Sequence, residues 1–362
     1  MKGATLMGFQ VVHIDGKTSF ERGRQHGEAA RSTIEKGIQR YQERFETRDH
    51  VSWRAVQEKA MRFVPFLEKD YADLLDEIRG IAAGSGMDFE DMMVLNTRYE
   101  LLKFPIQECT TFSLMPEVTA DHHTYQGMNW DNVGWMRDSS ILLHVEEPNG
   151  MKYFCMTEAG QLIRHGFNNY GIGICTNNLL STGDRDEVGV PTNFMRRRVL
   201  TSRTLEEATE SIRKSPRAIS CNLMVASSIG DATDFEVNPV HSIEIKPNAG
   251  IMTHANHFTV DRKICREQGG KFRDVRLYSL LEREKGAIDL AYIQKCLTDH
   301  YKADPTSHEA ICKHTPKEGE SIGINPIEAS VTIASQIYDL TTGTAYICYG
   351  NPCGGNYVKY EL

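Results

Sequence analysis

Gln107-Glu108-Cys109-Thr110-Thr111-Phe112 is the stretch on which this sequence turns. Before it the chain carries helical periodicity; after it come short β-branched and aromatic runs punctuated by Gly, Asn and Asp. Upstream, residues 19–45 space apolar positions among Arg, Glu and Gln without a proline. Residues 53–83 repeat the pattern, with Pro65 kinking or splitting it. Gly84-Ser85-Gly86 breaks that run, Asp88 opens a further helix to Leu102, and Pro105 ends the region. Downstream, strands are predicted over 139–145, 152–156, 172–176 and 223–227. Hairpins are predicted for 235–237 with 243–245 across Asn238-Pro239, and for 331–339 with 345–349 across Thr341-Thr342-Gly343. Helices return at 205–214, 272–284 and 289–299. Strands and helices in alternating groups predict an α+β fold with antiparallel sheets, as one compact unit with an N-terminal helical portion.

A thiol that opens a strand at such a junction has a specific chemical use. Cutting the peptide bond before Cys109 would make it an N-terminal residue, supplying both a nucleophile and an α-amine to act as its base. An α-amine titrates near 7.7–8.0, so it can take the thiol proton at neutral pH without a histidine.

Composition excludes several other classes. The 362 residues are 40% hydrophobic and 25% charged, enough to bury a large core. The net charge of -8 leaves no electrostatic footprint for nucleic acid. The basic run Arg196-Arg197-Arg198 reads as a solvated helix face. No apolar stretch approaches the ~20 residues that span a bilayer, and residues 1–15 lack the order of a secretory signal, so a soluble cytoplasmic protein is expected. Nine cysteines without CxxC pairs fit reduced thiols, and Cys155, Cys175, Cys221 and Cys348 lie in apolar runs as small buried hydrophobes.

No metal and no cofactor are expected. His122 and His123 are adjacent and would face opposite sides of a strand, while His254 and His257 lack an HExxH frame or nearby cysteines. Gly171-Ile172-Gly173 lacks the third glycine of a dinucleotide fingerprint, and no GxSxG elbow is present. Thiol chemistry remains, and an N-terminal nucleophile needs an acid for its amine and an amide for the oxyanion. Gly127-Met128-Asn129-Trp130-Asp131 follows at a hairpin's distance, and His254-Ala255-Asn256-His257 ends an apolar strand, where the Asn256 amide would face an oxyanion. An uncleaved thiol hydrolase using His254 or His257 as base is the alternative arrangement.

Cys109-Thr110-Thr111, Gly127-x-Asn129-Trp130-Asp131, Thr157-Glu158-Ala159-Gly160, Gly166-Phe167-Asn168 and His254-x-Asn256-His257 stand in the order of the isopenicillin N acyltransferase-like family. The sequence resembles that family from about Gln25 to Gly350-Asn351-Pro352-Cys353. The resemblance implies a four-layer αββα sandwich of the N-terminal-nucleophile hydrolase type, and a precursor that cuts itself before the cysteine. It implies Cys109 as nucleophile, Asp131 as the acid near its amine, Asn256 as oxyanion donor, and Ser220 near a family active-site serine. Asn129 and Trp130 would shape the strand end around Asp131, and Thr176 and Asn177 would line the pocket or donate a backbone N–H. Glu158 and Asn168 read as structural, through turn caps and inter-strand hydrogen bonds.

Two positions depart from the family pattern. Glu108 stands where the penicillin acyltransferase has glycine before its cysteine, and no arginine occurs around Glu328-Ala329, where the family carries one. Lys313 is the nearest cation to stand in, with a surface salt bridge as its ordinary role. The sequence therefore leads to an amidohydrolase that cuts between Glu108 and Cys109 into an α chain of 1–108 and a β chain of 109–362. It would cleave an N-acyl amide of a small molecule through a Cys109 thioester. Acyl transfer to an amine, and an uncut non-catalytic member of the fold, are the alternatives, and association of copies into a homo-oligomer is left open.

Overall fold

The computed structural model describes residues 8–102, 109–266, 272–307, 309–315 and 330–362. Glu108, Pro105 and the Glu328-Ala329 position therefore lie outside the described residues. The N-terminal part begins with a strand, β1 (Gln10–Ile14), followed by α1 (Ser19–Arg44), α2 (Trp53–Met61), α3 (Val64–Leu67), α4 (Ala72–Ser85) and α5 (Phe89–Leu101). Next come β2 (Thr110–Leu114), β3 (Tyr125–Val133), β4 (Ser140–Glu146), β5 (Lys152–Glu158), β6 (His165–Asn168) and β7 (Ile172–Asn178). Two helices, α6 (Thr192–Leu200) and α7 (Leu205–Lys214), precede β8 (Cys221–Ser227), β9 (Asp231–Val237), β10 (Ser242–Ile245) and β11 (Ile251–His254). The chain ends with α8 (Arg273–Leu281), α9 (Leu290–Leu297), β12 (Ser330–Asp339), β13 (Thr344–Tyr349) and β14 (Tyr357–Glu361).

The strands form two sheets, ordered β1-β4-β5-β6-β7-β8-β9-β10 and β11-β2-β3-β12-β13-β14. β2 and β3 of the smaller sheet pack on β7 of the larger, so both inner faces are buried and every residue of β2, β3 and β7 is covered. Helices α1 and α4 to α7 lie with the larger sheet, and their apolar residues join its core. On the other side, Leu277 and Leu281 of α8 and Ile293 and Leu297 of α9 pack with Phe112, Leu114, Tyr125 and Ile251 of the smaller sheet. The architecture is the four-layer αββα sandwich. Both expected hairpins form, β9 with β10 and β12 with β13.

The N-terminal helices behave largely as their pattern dictates. Thr18 and Glu21 form a reciprocal capping box at the start of α1. Pro65 sits in the first turn of α3, where its missing N–H is harmless, and separates α2 from α4. Helices α1 and α4 touch backbone to backbone: a Cβ on Gly27 would overlap the Ile81 carbonyl oxygen, and one on Gly80 the Phe20 carbonyl oxygen.

Two expectations are corrected. The N-terminal portion is not purely helical, because β1 pairs in parallel with β4 and so stitches this segment into the larger sheet. The arginine run is not a solvated face: Arg196 and Arg197 are buried, and Arg197 makes a two-pronged contact with Glu77 at 3.0 and 2.8 Å. Only Arg198, paired with Asp73, keeps partial exposure.

Candidate active site

Cys109 stands immediately before β2, and the antiparallel ladder that pairs Thr110 with Asn129 carries it alongside the second half of β3. It is 3% exposed, and its Sγ donates to the Asp131 carbonyl oxygen at 3.6 Å. Burial pushes the thiol up to about 11, against the opposing pull of the Arg164 guanidinium. In the continuous chain the Cys109 nitrogen is an amide. Among the described residues no histidine nitrogen lies within hydrogen-bond distance of Sγ, so at neutral pH this is a protonated thiol without a side-chain base.

On the other side, β11 pairs with β2 so that His254 faces Thr111. Two residues beyond that pair lie Asn256 on one strand and Cys109 on the other. The Asn256 amide donates to the Asn178 carbonyl at 3.0 Å, and its oxygen accepts from Arg273 at 3.2 Å. Arg273 also donates to Thr110 Oγ1 at 3.2 Å, so one guanidinium joins Asn256 to the residue beside the nucleophile. Across the sandwich, Thr111 Oγ1 donates to Asn177 Oδ1 at 2.8 Å. This contact fixes the side chain so that the Asn177 amide nitrogen is buried without a hydrogen-bond partner among the described residues. A buried N–H group in that state is a donor available for a developing negative charge. Thr176 Oγ1, pointing to the other face of β7, is likewise buried and unbonded among the described residues.

Asp131 is fully buried on β3 opposite Thr332 of β12. Thr332 Oγ1 donates to Asp131 Oδ1 at 2.6 Å and accepts from the Lys313 N–H at 2.8 Å. Lys313 is only 4% exposed, which corrects the expectation of a surface salt bridge: it sits one hydroxyl away from Asp131. Asn129, expected to shape the strand around Asp131, donates its amide to the carbonyls of Leu297 and Ile311 at 2.9 and 2.8 Å, tying the end of α9 to β3.

Ser220 hydrogen-bonds Ser181 Oγ at 2.9 Å and Asp184 Oδ1 at 2.5 Å. It lines a cavity of about 230 Å³ with Tyr99, Asn178, Leu180, Asp184 and Arg266. Cys109 is not in that lining, but Asn178 is, and its carbonyl holds Asn256. Glu158 and Asn168 are structural. Asn168 caps the turn by accepting from Tyr170 and Ile172 N–H at 2.9 and 3.0 Å, whereas Glu158 is a buried ion-pair partner of Arg98 and accepts from Tyr41.

Sequence reasoning missed the arginines. Arg164 is buried with its guanidinium 4.5 Å over the Trp130 ring and 3.8 Å from Glu158, close enough to Cys109 to favour its thiolate. Arg273 opens α8 and reaches both Thr110 and Asn256. Nothing in the local pattern marked either, because a buried arginine is defined by partners distant in sequence.

His254 is engaged by partners other than the thiol. Burial works against its charge, yet Asp234 and a 3.1 Å contact with Glu236 hold its pKa up to about 9. At neutral pH it is an imidazolium locked to a carboxylate. A group raised in the folded state stabilises the fold fully below its unfolded value near 6.5, and that contribution is lost as pH rises through about 9. The unfolding midpoint in urea should therefore fall between pH 6.5 and 9 more steeply for the native chain than for His254→Gln.

The profile of the family described as acyl-coenzyme A:6-aminopenicillanic acid acyl-transferase matches residues 118–353. The chain belongs to that family. It is accordingly an enzyme acting on acyl–nitrogen amide bonds. The match begins after Cys109 and takes in Asp131 and Asn256. The chain is similar to the 40 kDa form of acyl-coenzyme A:6-aminopenicillanic-acid-acyltransferase from Emericella nidulans, 25% identical over 252 residues, 68% of this chain and 69% of the relative. Looser likenesses exist to solved structures. A variant of conjugated bile acid hydrolase from Clostridium perfringens is 15% identical with a TM-score of 0.46, covering 70% of this chain and 97% of that one. Penicillin V acylase from Agrobacterium tumefaciens is 14% identical with a TM-score of 0.46, covering 70% and 86%. Neither is close enough to carry an argument about the site. Among the described residues no helix is long and apolar enough to cross a membrane.

Proposed function

We propose that the chain is a cysteine amidohydrolase that cuts itself between Glu108 and Cys109 and then cleaves the N-acyl amide of a small molecule. The observation that carries this reading is a buried cysteine at a strand start, without a side-chain base among the described residues, on the strand whose Thr111 meets Asn177 and whose neighbour β11 leads into Asn256. Such a thiol needs a base from elsewhere, and cleavage before Cys109 creates one in the α-amine.

In turnover the amine takes the thiol proton and the thiolate attacks the amide carbonyl, forming a C–S bond and an oxyanion. Asn256 and Asn177 donate to that oxygen; losing one such donor typically lowers the rate by ~10²–10³. The tetrahedral species collapses as the ammonium protonates the leaving amine, leaving a thioester. Water then attacks the thioester carbonyl, the amine accepts its proton, and the acid leaves as the thiol re-forms. The cavity beside Ser220 and Asn178 is the place for a substrate substituent. The two chains need no linker to stay together, because β1 of the α chain is paired within the larger sheet.

Acyl transfer to an amine acceptor is the second reading, favoured by the description of the family and of the Emericella relative. Both readings are tested together. Mass spectrometry of the purified protein should find a chain beginning at Cys109, and a panel of N-acyl amines, assayed with and without a free amine acceptor, separates hydrolysis from transfer. An intact chain that turns over the panel at full rate would overturn self-cleavage as a requirement.

A further inference from the structure

A second cluster of reactive side chains lies outside the nucleophile's site. His300, Cys312, His314 and Cys353 each bring one ligand atom to a common point, all within 4.8 Å of one another. They come from three separate segments: the stretch after α9, the residues just past Ile311, and the turn between β13 and β14. His314 Nε2 lies 3.2 Å from Cys353 Sγ and 3.6 Å from Cys312 Sγ. The His300 and His314 rings meet edge-on, with centroids 5.0 Å apart. His300 Nε2 is buried without a hydrogen-bond partner among the described residues.

We infer that these four residues bind one zinc ion. Two thiols and two imidazoles are the donor set of a closed tetrahedral zinc site, with Zn–S near 2.3 Å and Zn–N near 2.0–2.1 Å. Such a tetrahedron sets neighbouring donors about 3.3–3.8 Å apart. The two contacts from His314 already match it, and the remaining separations, none above 4.8 Å, need to shorten by about 1 Å to reach it. Zn²⁺ has no d-electron preference to violate, so a mixed pair of sulfur and nitrogen donors suits it. Binding replaces the two thiol protons, which pass to solvent.

The surroundings are those of a ligand shell. The Asn351 amide donates to Cys312 Sγ at 3.6 Å and to the Lys313 carbonyl at 2.6 Å, which orients the sulfur and favours its thiolate. The backbone is pinned on both sides: Cys312 N–H donates to Asp299 O at 3.0 Å, and His314 N–H to Pro305 O at 2.8 Å. Cys312 is buried while Cys353 is exposed, so the ion has a route in from solvent.

With four protein ligands and no open position the ion is structural, and its place gives it a purpose. Cys312 and His314 flank Lys313, whose N–H holds Thr332 Oγ1, which in turn holds Asp131. Zinc would clamp this segment to the β13–β14 turn and so fix the hydroxyl that faces Asp131. No spacing in the sequence marks the site, because its ligands are scattered from His300 to Cys353.

The test uses the full chain, reduced and stripped with a chelator, then exposed to zinc or to cobalt(II) alone. Native protein should take up one zinc per chain, gain thermal stability on binding, and show thiolate-to-cobalt charge-transfer absorption with the intense visible bands of a tetrahedral cobalt site. Cys353→Ser, at an exposed position that need not disturb folding, should lose the zinc and the charge-transfer band. Cys312→Ser should do the same, and Cys265→Ser should keep both. Reduced native protein that takes up no stoichiometric metal overturns the inference. So does Cys353→Ser binding zinc as well as the native chain, which would mean a different set of ligands.

Discussion

Cys109→Ala is expected to leave a single full-length band on a denaturing gel and no measurable turnover of any N-acyl amine. The expected loss is on the order of 10⁴-fold or more, the scale seen when a nucleophile that acts as part of a unit is removed. Two functions disappear at once because the same sulfur attacks the peptide carbonyl before it and, later, the substrate. Unfolding does not explain the loss in advance. The thiol's hydrogen bond is a single long contact to the Asp131 carbonyl at 3.6 Å, and alanine fits the space the cysteine occupied. Circular dichroism and the thermal midpoint should stay near native. Cys109→Ser sharpens the result: a hydroxyl can still attack its own preceding carbonyl, so slow cleavage with little turnover is expected there. An alanine variant that is cut and active would sink the proposal, and with it any role for Cys109 beyond packing.

The parts of this site that could be read from the sequence are those set by local chemistry. A strand opening at Cys109 and returning through Asn129-Trp130-Asp131 needs only a hairpin, and the Thr110–Asn129 pair delivers it. Asn256 was legible for a similar reason: it ends an apolar strand, and that strand is β2's neighbour. The partners of Asn129 were not legible, because the face it occupies is not fixed by the local sequence. In a strand, neighbouring residues point to opposite sides, and Asn129 points outward to Leu297 and Ile311. The buried cations were illegible altogether. Arg197 meets Glu77 across 120 positions and Arg98 meets Glu158 across 60, so nothing nearby announces that either will be covered. Lys313 is buried as well, on a segment whose backbone N–H is held by Thr332, 19 positions on. The helical start was over-read for the opposite reason: β1 is short, and its partner β4 lies more than a hundred residues away.

These cations change how the nucleophile should be understood. Burial alone makes Cys109 a poor thiolate, but Arg164 and Arg273 both act against that penalty, while Asp131 adds to it. A charge formed at this end of the sandwich therefore meets fixed partners rather than solvent, the condition under which electrostatic stabilisation is strongest. The same surroundings leave the uncut thiol quiet. Alkylation of the precursor's Cys109 should thus be slow at neutral pH, as the position of its pKa near 11 requires.

Asp131→Asn probes the other half of the proposal, the α-amine. Asparagine keeps the size of the side chain and can still accept from Thr332 Oγ1 through its oxygen, so the 2.6 Å contact need not be lost. What disappears is the negative charge beside the nucleophile's strand end. During turnover the α-amine becomes an ammonium, and a nearby carboxylate lowers the energy of that form. Without it the amine is a weaker base and the ion pair between ammonium and thiolate is less stable. Turnover is expected to fall by about 10²–10⁴-fold, the range spanned by removing an electrostatic partner and by neutralising a buried aspartate that supports a catalytic base. The pH profile carries the sharper signal. If the amine is the base, the limb of kcat/KM that rises near its pKa of about 7.7–8.0 should move to lower pH in Asp131→Asn, because the protonated form has lost its partner. A purely structural Asp131 would lower the rate without moving that limb. The combination of an unmoved limb and a normal fold would remove Asp131 from the mechanism, while leaving Cys109 to be judged on its own substitution.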